Sequence, residues 1–190
     1  MINLMKLSVQ SKLQKGFTLI ELLVVIGILG ILAAALVATI DPFEQLRKGE
    51  DSRSQNTTVE FHNALIRYYT NHLAMPWEDA AGTGGDCDLS GATDIATPTT
   101  IEDLSTAGCL DVLIGEGELK EAFDTAAGLD NIYVTEPYAG ASVDGSVGVC
   151  YSPVSKSGLV NANNRYDQDG GLNVACPDST GAVTCYWCAE

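Results

Sequence analysis

The chain is poor in positive charge beyond its first two fifths. From Glu78 onward, nineteen Asp and Glu face three basic residues, Lys120, Lys156 and Arg165. A surface so acidic repels phosphate, which argues against general nucleic-acid binding and leaves solubility, cation association or a salty medium. Histidine is scarce too. His62 and His72 both precede the first cysteine by a wide margin, so a mixed cysteine–histidine zinc site lacks its nitrogen ligands. The glycines at 82–85 follow no apolar strand and precede no P-loop lysine, so they form no phosphate loop. There is no Ser/His/Asp set, no HExxH and no internal repeat. Nothing here composes a catalytic centre, and the expectation is a protein that is not an enzyme.

What the sequence does have is one long apolar run. Residues 17–40 (FTLIELLVVIGILGILAAALVATI) carry a single ionisable side chain, Glu21. As a helix, 24 residues span roughly 36 Å, enough for a bilayer core of about 30 Å. The apolar region of a cleaved secretory signal is shorter, about 7–15 residues, and a soluble domain of this size seldom holds a helix apolar on every side. A membrane span is the reading. Lys6, Lys12 and Lys15 precede it and acid follows it, which places the N-terminus in the cytoplasm and the remainder outside. Cys87, Cys109, Cys150, Cys176, Cys185 and Cys188 all lie on the outer side. An even count there points to an oxidising compartment and disulfides.

After the span, Asp41 can cap a helix, Pro42 suits its first position and Glu44 can complete a capping box. Pro42 also disfavours helical geometry at Asp41, so a kink or short break is expected there. Residues 47–58 are polar on every side. From Val59 the steps of three and four through His62, Ile66, Tyr69 and Leu73 predict an apolar helix face that covers a sheet or another layer. His62 in such a stripe reads as a packed residue rather than a ligand. The helix should stop near Ala74, because Pro76 follows. Residues 77–110 read as loop, 118–123 as a short helix, and 131–136 (NIYVTE), 146–151 (SVGVCY) and 182–187 (AVTCYW) as strands. The first two strands can form a hairpin through 138–145. Glu116, Glu118 and Glu121 read as helix-surface charge.

A carboxylate inside a span costs about 2.5–3.5 kcal/mol near its centre, so Glu21 calls for a partner. Cutting the chain before Phe17 supplies one, since the new α-amino group lies four residues from Glu21 on the same helix face. An unpaired charge in an assembly that excludes water is expensive, and pairing fixes the stagger between subunits. With these residues in view, Lys15-Gly16-Phe17-Thr18-Leu19-Ile20-Glu21-Leu22-Leu23-Val24-Val25 resembles the class III leader junction of type IV pilins and type II secretion pseudopilins.

The resemblance implies a membrane peptidase that cuts after Gly16 and methylates Phe17, with Glu21 as the assembly carboxylate. It covers the first fifth of the chain. Beyond that only the pattern agrees, a long N-terminal helix followed by a loop and an antiparallel sheet. Two departures stand: no proline occurs between Phe17 and Ile40, where many pilins have one, and the leader exceeds the family's shortest. The implied fold is α+β, a long N-terminal helix, membrane-spanning in its first half, packed on a C-terminal antiparallel sheet. Residues 1–16 form the leader, 17–40 the transmembrane and filament-core helix and 41–75 its amphipathic continuation. Residues 76–190 form the extracytoplasmic head, with the loop at 77–110 and the sheet at 130–190.

The implied function is that of a structural subunit of a type IV pilus-like filament, drawn from an inner-membrane pool. The alternatives are a major pseudopilin of type II secretion and a competence-type DNA-uptake pilin, which the acidic head disfavours. Partners would be copies of itself, other pilins, the prepilin peptidase, the inner-membrane assembly platform and membrane lipid, with no nucleic acid. Its place is the bacterial inner membrane, single-pass, then the cell-surface filament.

Six cysteines permit fifteen pairings. Cys185-Tyr186-Trp187-Cys188 is a single CxxC outside the helix-terminal context of a thioredoxin site, and residues three apart on a strand face opposite sides. The favoured pairing therefore links Cys87 to Cys109 across the loop and joins Cys150 and Cys176 to the last strand. Asn164-Arg165-Tyr166-Asp167-Gln168-Asp169-Gly170-Gly171 is dense in the oxygen ligands calcium prefers, with Asp167 and Asp169 as candidates. The resemblance adds that related pseudopilins bind calcium in their C-terminal region. An EF-hand register would begin on Arg165 and no glutamate closes the loop, so a solvated turn is the competing reading, and no other cofactor is expected. Asn56-Thr57-Thr58 fits a glycosylation sequon but falls on an expected helix.

Overall fold

A computed structural model describes residues 16–39, 41–78, 87, 95, 97–135, 147–180 and 182–189, with Ala38 described in its backbone alone. The leader lysines, the glycines at 82–85 and the 138–145 hairpin connection lie outside the described residues. The chain divides into two compact units, one ending at Pro42 and one starting at Phe43.

The first unit holds α1, Leu19–Thr39. Every described side chain on it is exposed, so a helix apolar all round has no protein core to bury it. From Leu19 to Val37 it is long and apolar enough to cross a membrane.

The second unit begins with α2, Pro42–His72. The polar stretch at 47–58 is helical throughout. The face that enters the core is Thr58, Phe61, Leu65 and Tyr68, one residue earlier in phase than the stripe expected from sequence. Val59 and Ile66 are each 38% exposed and Leu73 is 76% exposed; of the expected stripe, His62 is buried and Tyr69 packs partly buried against the core. The larger payload of Phe61 and Tyr68 decides the rotation, because aromatic burial removes the most apolar area from water. The helix ends where Leu73 turns left-handed at φ 58°, its N–H bonded back to the Tyr69 carbonyl at 2.7 Å.

The expected loop at 77–110 contains structure instead. A short strand β1, Thr99–Thr100, runs into α3, Ile101–Thr106, and α4 follows at Cys109–Gly115. Thr100 and Asp103 cap α3 reciprocally: Asp103 N–H donates to Thr100 Oγ1 at 3.1 Å, and Thr100 Oγ1 donates to the Asp103 carboxylate at 2.6 Å. Gly108 takes φ 82°, the left-handed turn between the two helices. The helix expected at 118–123 is reduced to a 3₁₀ turn, Glu121–Phe123.

Three more strands complete the sheet: β2, Ile132–Thr135, β3, Gly148–Tyr151, and β4, Trp187–Ala189. The last is displaced toward the C-terminus from the expected 182–187. The order is β1-β2-β3-β4 with every neighbour antiparallel. The period of two sorts the faces. Ile132, Val134 and Val149 turn toward Phe61 and Leu65 of α2, Leu104 of α3 and Leu113 of α4, forming the main core. On the opposite face, Cys150 packs with Tyr166 and Cys188, and Tyr133 meets Tyr186 edge-on at 5.9 Å. The architecture is α+β.

Candidate assembly and processing site

Gly16, Phe17 and Thr18 are extended and lead into α1. Thr18 closes the helix start: Glu21 N–H donates to its hydroxyl at 3.3 Å. The Glu21 carboxylate in turn accepts from Thr18 N–H at 2.9 Å and from the Thr18 hydroxyl at 2.7 Å. This is a capping box, which satisfies two backbone donors that the first turn cannot pair. Sequence reasoning gave Glu21 only the Phe17 amine as partner; the Thr-x-x-Glu spacing at 18–21 was the signal for the second role. Phe17 is 78% exposed. A side chain placed on Gly16 would meet no atom within 4 Å, so packing does not demand a glycine there.

The head is cross-linked as the favoured cysteine pairing expects. Disulfides join Cys87 to Cys109, Cys150 to Cys188 and Cys176 to Cys185. Cys150 and Cys188 are directly opposed in the β3–β4 register, while Cys185 ties the irregular stretch around Cys176 to the approach to β4. Glu118 is more than surface charge. Its carboxylate meets Arg67 of α2 at 2.6 Å with its side chain only 15% exposed, and its carbonyl accepts a second Arg67 bond at 2.6 Å. Burial, with the charge of Asp51 added, pushes the Tyr151 hydroxyl up to about 12.

In the calcium candidate, the Asp167 carboxylate accepts from the Asn173 amide at 2.7 Å, and the Asp169 carbonyl accepts from the Thr135 hydroxyl at 3.3 Å. Among the described residues no three or more His, Cys, Asp or Glu gather as a metal site would require. Thr58 of the sequon is fully buried against the core.

An apolar helix with no protein cover, headed by a capped Phe-Thr-x-x-Glu turn, and a disulfide-bonded α+β unit are the features that the resemblance to pilins leads one to expect. Comparison with known proteins finds the same likeness at the N-terminus. Residues 11–37 match the family model described as the prokaryotic N-terminal methylation motif. The chain is 36% identical over 80 residues to a fimbrial protein of Neisseria meningitidis serogroup A, covering 42% of this chain and 46% of that one. It is 37% identical over 80 residues to the type IV major pilin protein PilE1 of Neisseria gonorrhoeae, covering 42% and 36%. To the fimbrial protein EcpC of Eikenella corrodens it is 36% identical over 70 residues, covering 37% and 44%. The matched segments span less than half the length of these relatives. No solved structure matches the chain.

Proposed function

We propose that the chain is the structural subunit of a type IV pilus-like filament. The observation that carries the reading is the junction at Gly16-Phe17, set at the head of an uncovered apolar helix and inside the matched methylation motif. Residues 1–16 are removed and Phe17 is N-methylated by a prepilin peptidase. Residues 17–40 anchor the subunit in the inner membrane, N-terminus cytoplasmic, and then pack in the filament core among copies of the same chain and other pilins. Residues 41–75 continue the helix outward, and 76–190 are displayed as the head. An inner-membrane platform transfers subunits from lipid to filament.

Glu21 serves assembly in this scheme. Cleavage creates an amine one helical turn from its carboxylate, and a charged pair inside a dry filament core sets the stagger between neighbours. That packing does not require glycine at position 16 supports a residue kept for the peptidase. A secretion pseudopilin would use the same N-terminal chemistry; relatives described as fimbrial proteins and type IV major pilins favour the pilus. The test is intact-mass spectrometry on assembled filaments. The mature chain should start at Phe17 with one added methyl group, and filaments built from chains retaining Met1 would defeat the proposal.

A further inference from the structure

Beside the contact between α2 and the segment after β3 lies a cleft of about 340 Å³, within the roughly 300–1,000 Å³ usual for small-ligand pockets. Lys48 and Gln55 of α2, Asn161, Asn163 and Asn164, and Trp187 of β4 line it. The Asn164 side chain is 1% exposed, and neither its Oδ1 nor its Nδ2 has a hydrogen-bond partner. A buried amide with both ends unmet is rare in folded proteins and points to a group that arrives from outside. The backbone holds it in place, since Asn164 N–H donates to the Asn161 carbonyl at 2.9 Å. Trp187 is fixed as well, half-buried and tilted against Tyr151 with ring centroids 5.8 Å apart.

The lining chooses the ligand. Asp51 borders the cleft, but its carboxylate already accepts from Val154 N–H, Ser155 N–H and the Ser155 hydroxyl. An anion would meet that carboxylate, and a cation would meet Lys48, the one basic residue among those that line the cleft. Amides donate and accept at once, which suits a ligand made of hydroxyl groups, and an indole presents an apolar face to the C–H face of a sugar ring.

We propose that this cleft is a carbohydrate-binding site that takes a neutral pyranose unit through Asn164, Gln55 and Trp187. The inference does not rest on filament assembly, because every residue it uses lies in the unit that starts at Phe43.

The full chain, in a detergent without a sugar headgroup, is titrated with the methyl glycosides of glucose, galactose, mannose and N-acetylglucosamine. Saturation-transfer NMR and tryptophan fluorescence read binding. At least one glycoside should bind saturably with Kd near about 1 mM. Asn164→Ala should weaken it about tenfold, the loss expected for a hydrogen bond, and Trp187→Phe should abolish the fluorescence response. Gln55→Ala, on the exposed face of α2, makes the same test without touching a buried position and should also weaken binding. The absence of saturable binding for all four glycosides would overturn the proposal, as would binding that Asn164→Ala and Gln55→Ala both leave intact.

Discussion

Asp51 and Ser155, 104 positions apart, are joined twice: Ser155 N–H donates to the Asp51 carboxylate at 3.1 Å, and so does the Ser155 hydroxyl. Val154 N–H adds a third bond at 2.7 Å, and two turns earlier on α2 the Glu44 carboxylate accepts from Lys156 N–H at 2.7 Å. Glu44 thus receives the first N–H of α5, Lys156–Leu159, a donor that a helix cannot pair internally, and Asp51 receives the N–H groups of the two residues before it. Gly158 permits the approach, since a Cβ there would stand 2.5 Å from Asp51 Oδ2. Asp51→Ala should lower head stability by about 2 kcal/mol, the range for hydrogen bonds to a charged acceptor. Gly158→Ala should destabilise by a similar mechanism, pushing the segment away. Urea unfolding followed by tryptophan fluorescence measures both; an unchanged midpoint for Asp51→Ala would show the contact to be dispensable.

His62 gives the head a pH dependence. Burial lowers its pKa below the ordinary value, opposed by a backbone hydrogen bond at Val147. Between the lowered folded value and about 6.5 the unfolded chain binds more protons than the folded one, so stability rises with pH through that window. The contribution is fully present above the unfolded value and is lost as pH falls through the folded one. The urea midpoint, followed across roughly pH 8 to 5, should fall at the acid end. His62→Gln should remove its share of that slope; an identical slope in the variant would remove His62 from the account.

Leu73 ends α2 in the left-handed region at φ 58° while 76% exposed. A side chain there costs roughly 1–2 kcal/mol, and little apolar burial offsets it. Leu73→Gly relieves the strain but loosens the unfolded chain, so the net gain should be about 0.5–1 kcal/mol. A lower thermal midpoint would mean that Leu73 packs in a way its exposure conceals.

The elements legible in the sequence were those with a long period or a strong chemical constraint. The run from Phe17 is apolar on every side, and Pro42 marks the start of α2. Opposite-facing Cys185 and Cys188 were assigned different partners, and they have them. What escaped was short or set by distant residues. α3 has six residues, fewer than two turns, too few to show a helical period. The phase of α2 turned on whether Val59 and Ile66 or Phe61 and Leu65 face inward, a choice made by the sheet they meet. The polar stretch at 47–58 shows no face of its own in the sequence because the partners of Asp51, Val154 and Ser155, lie a hundred residues away. At the N-terminus, Glu21 was read for charge, and its cap with Thr18 was missed.

That cap makes the role of Glu21 separable by mutation. Glu21 closes the capping box at the start of α1; under the proposed function it would also serve assembly as a buried anion. Gln can occupy the same position in a capping box, so Glu21→Gln keeps the cap and removes only the charge. Thr18→Ala does the reverse, costing about 1 kcal/mol at the helix start while leaving the carboxylate. Membrane insertion should survive Glu21→Gln, because a neutral amide is cheaper to bury than a carboxylate, and cleavage after Gly16 should continue. Entry into filaments should fail, since an amine stranded without its counter-charge costs roughly 3–5 kcal/mol. Thr18→Ala should still enter filaments, at reduced efficiency. Each variant is co-expressed with the parent chain, and mature protein in membranes is compared with protein in sheared filaments. Should Glu21→Gln enter in proportion to its membrane level while Thr18→Ala is excluded, the carboxylate acts through the helix cap and the charge-pairing mechanism is wrong.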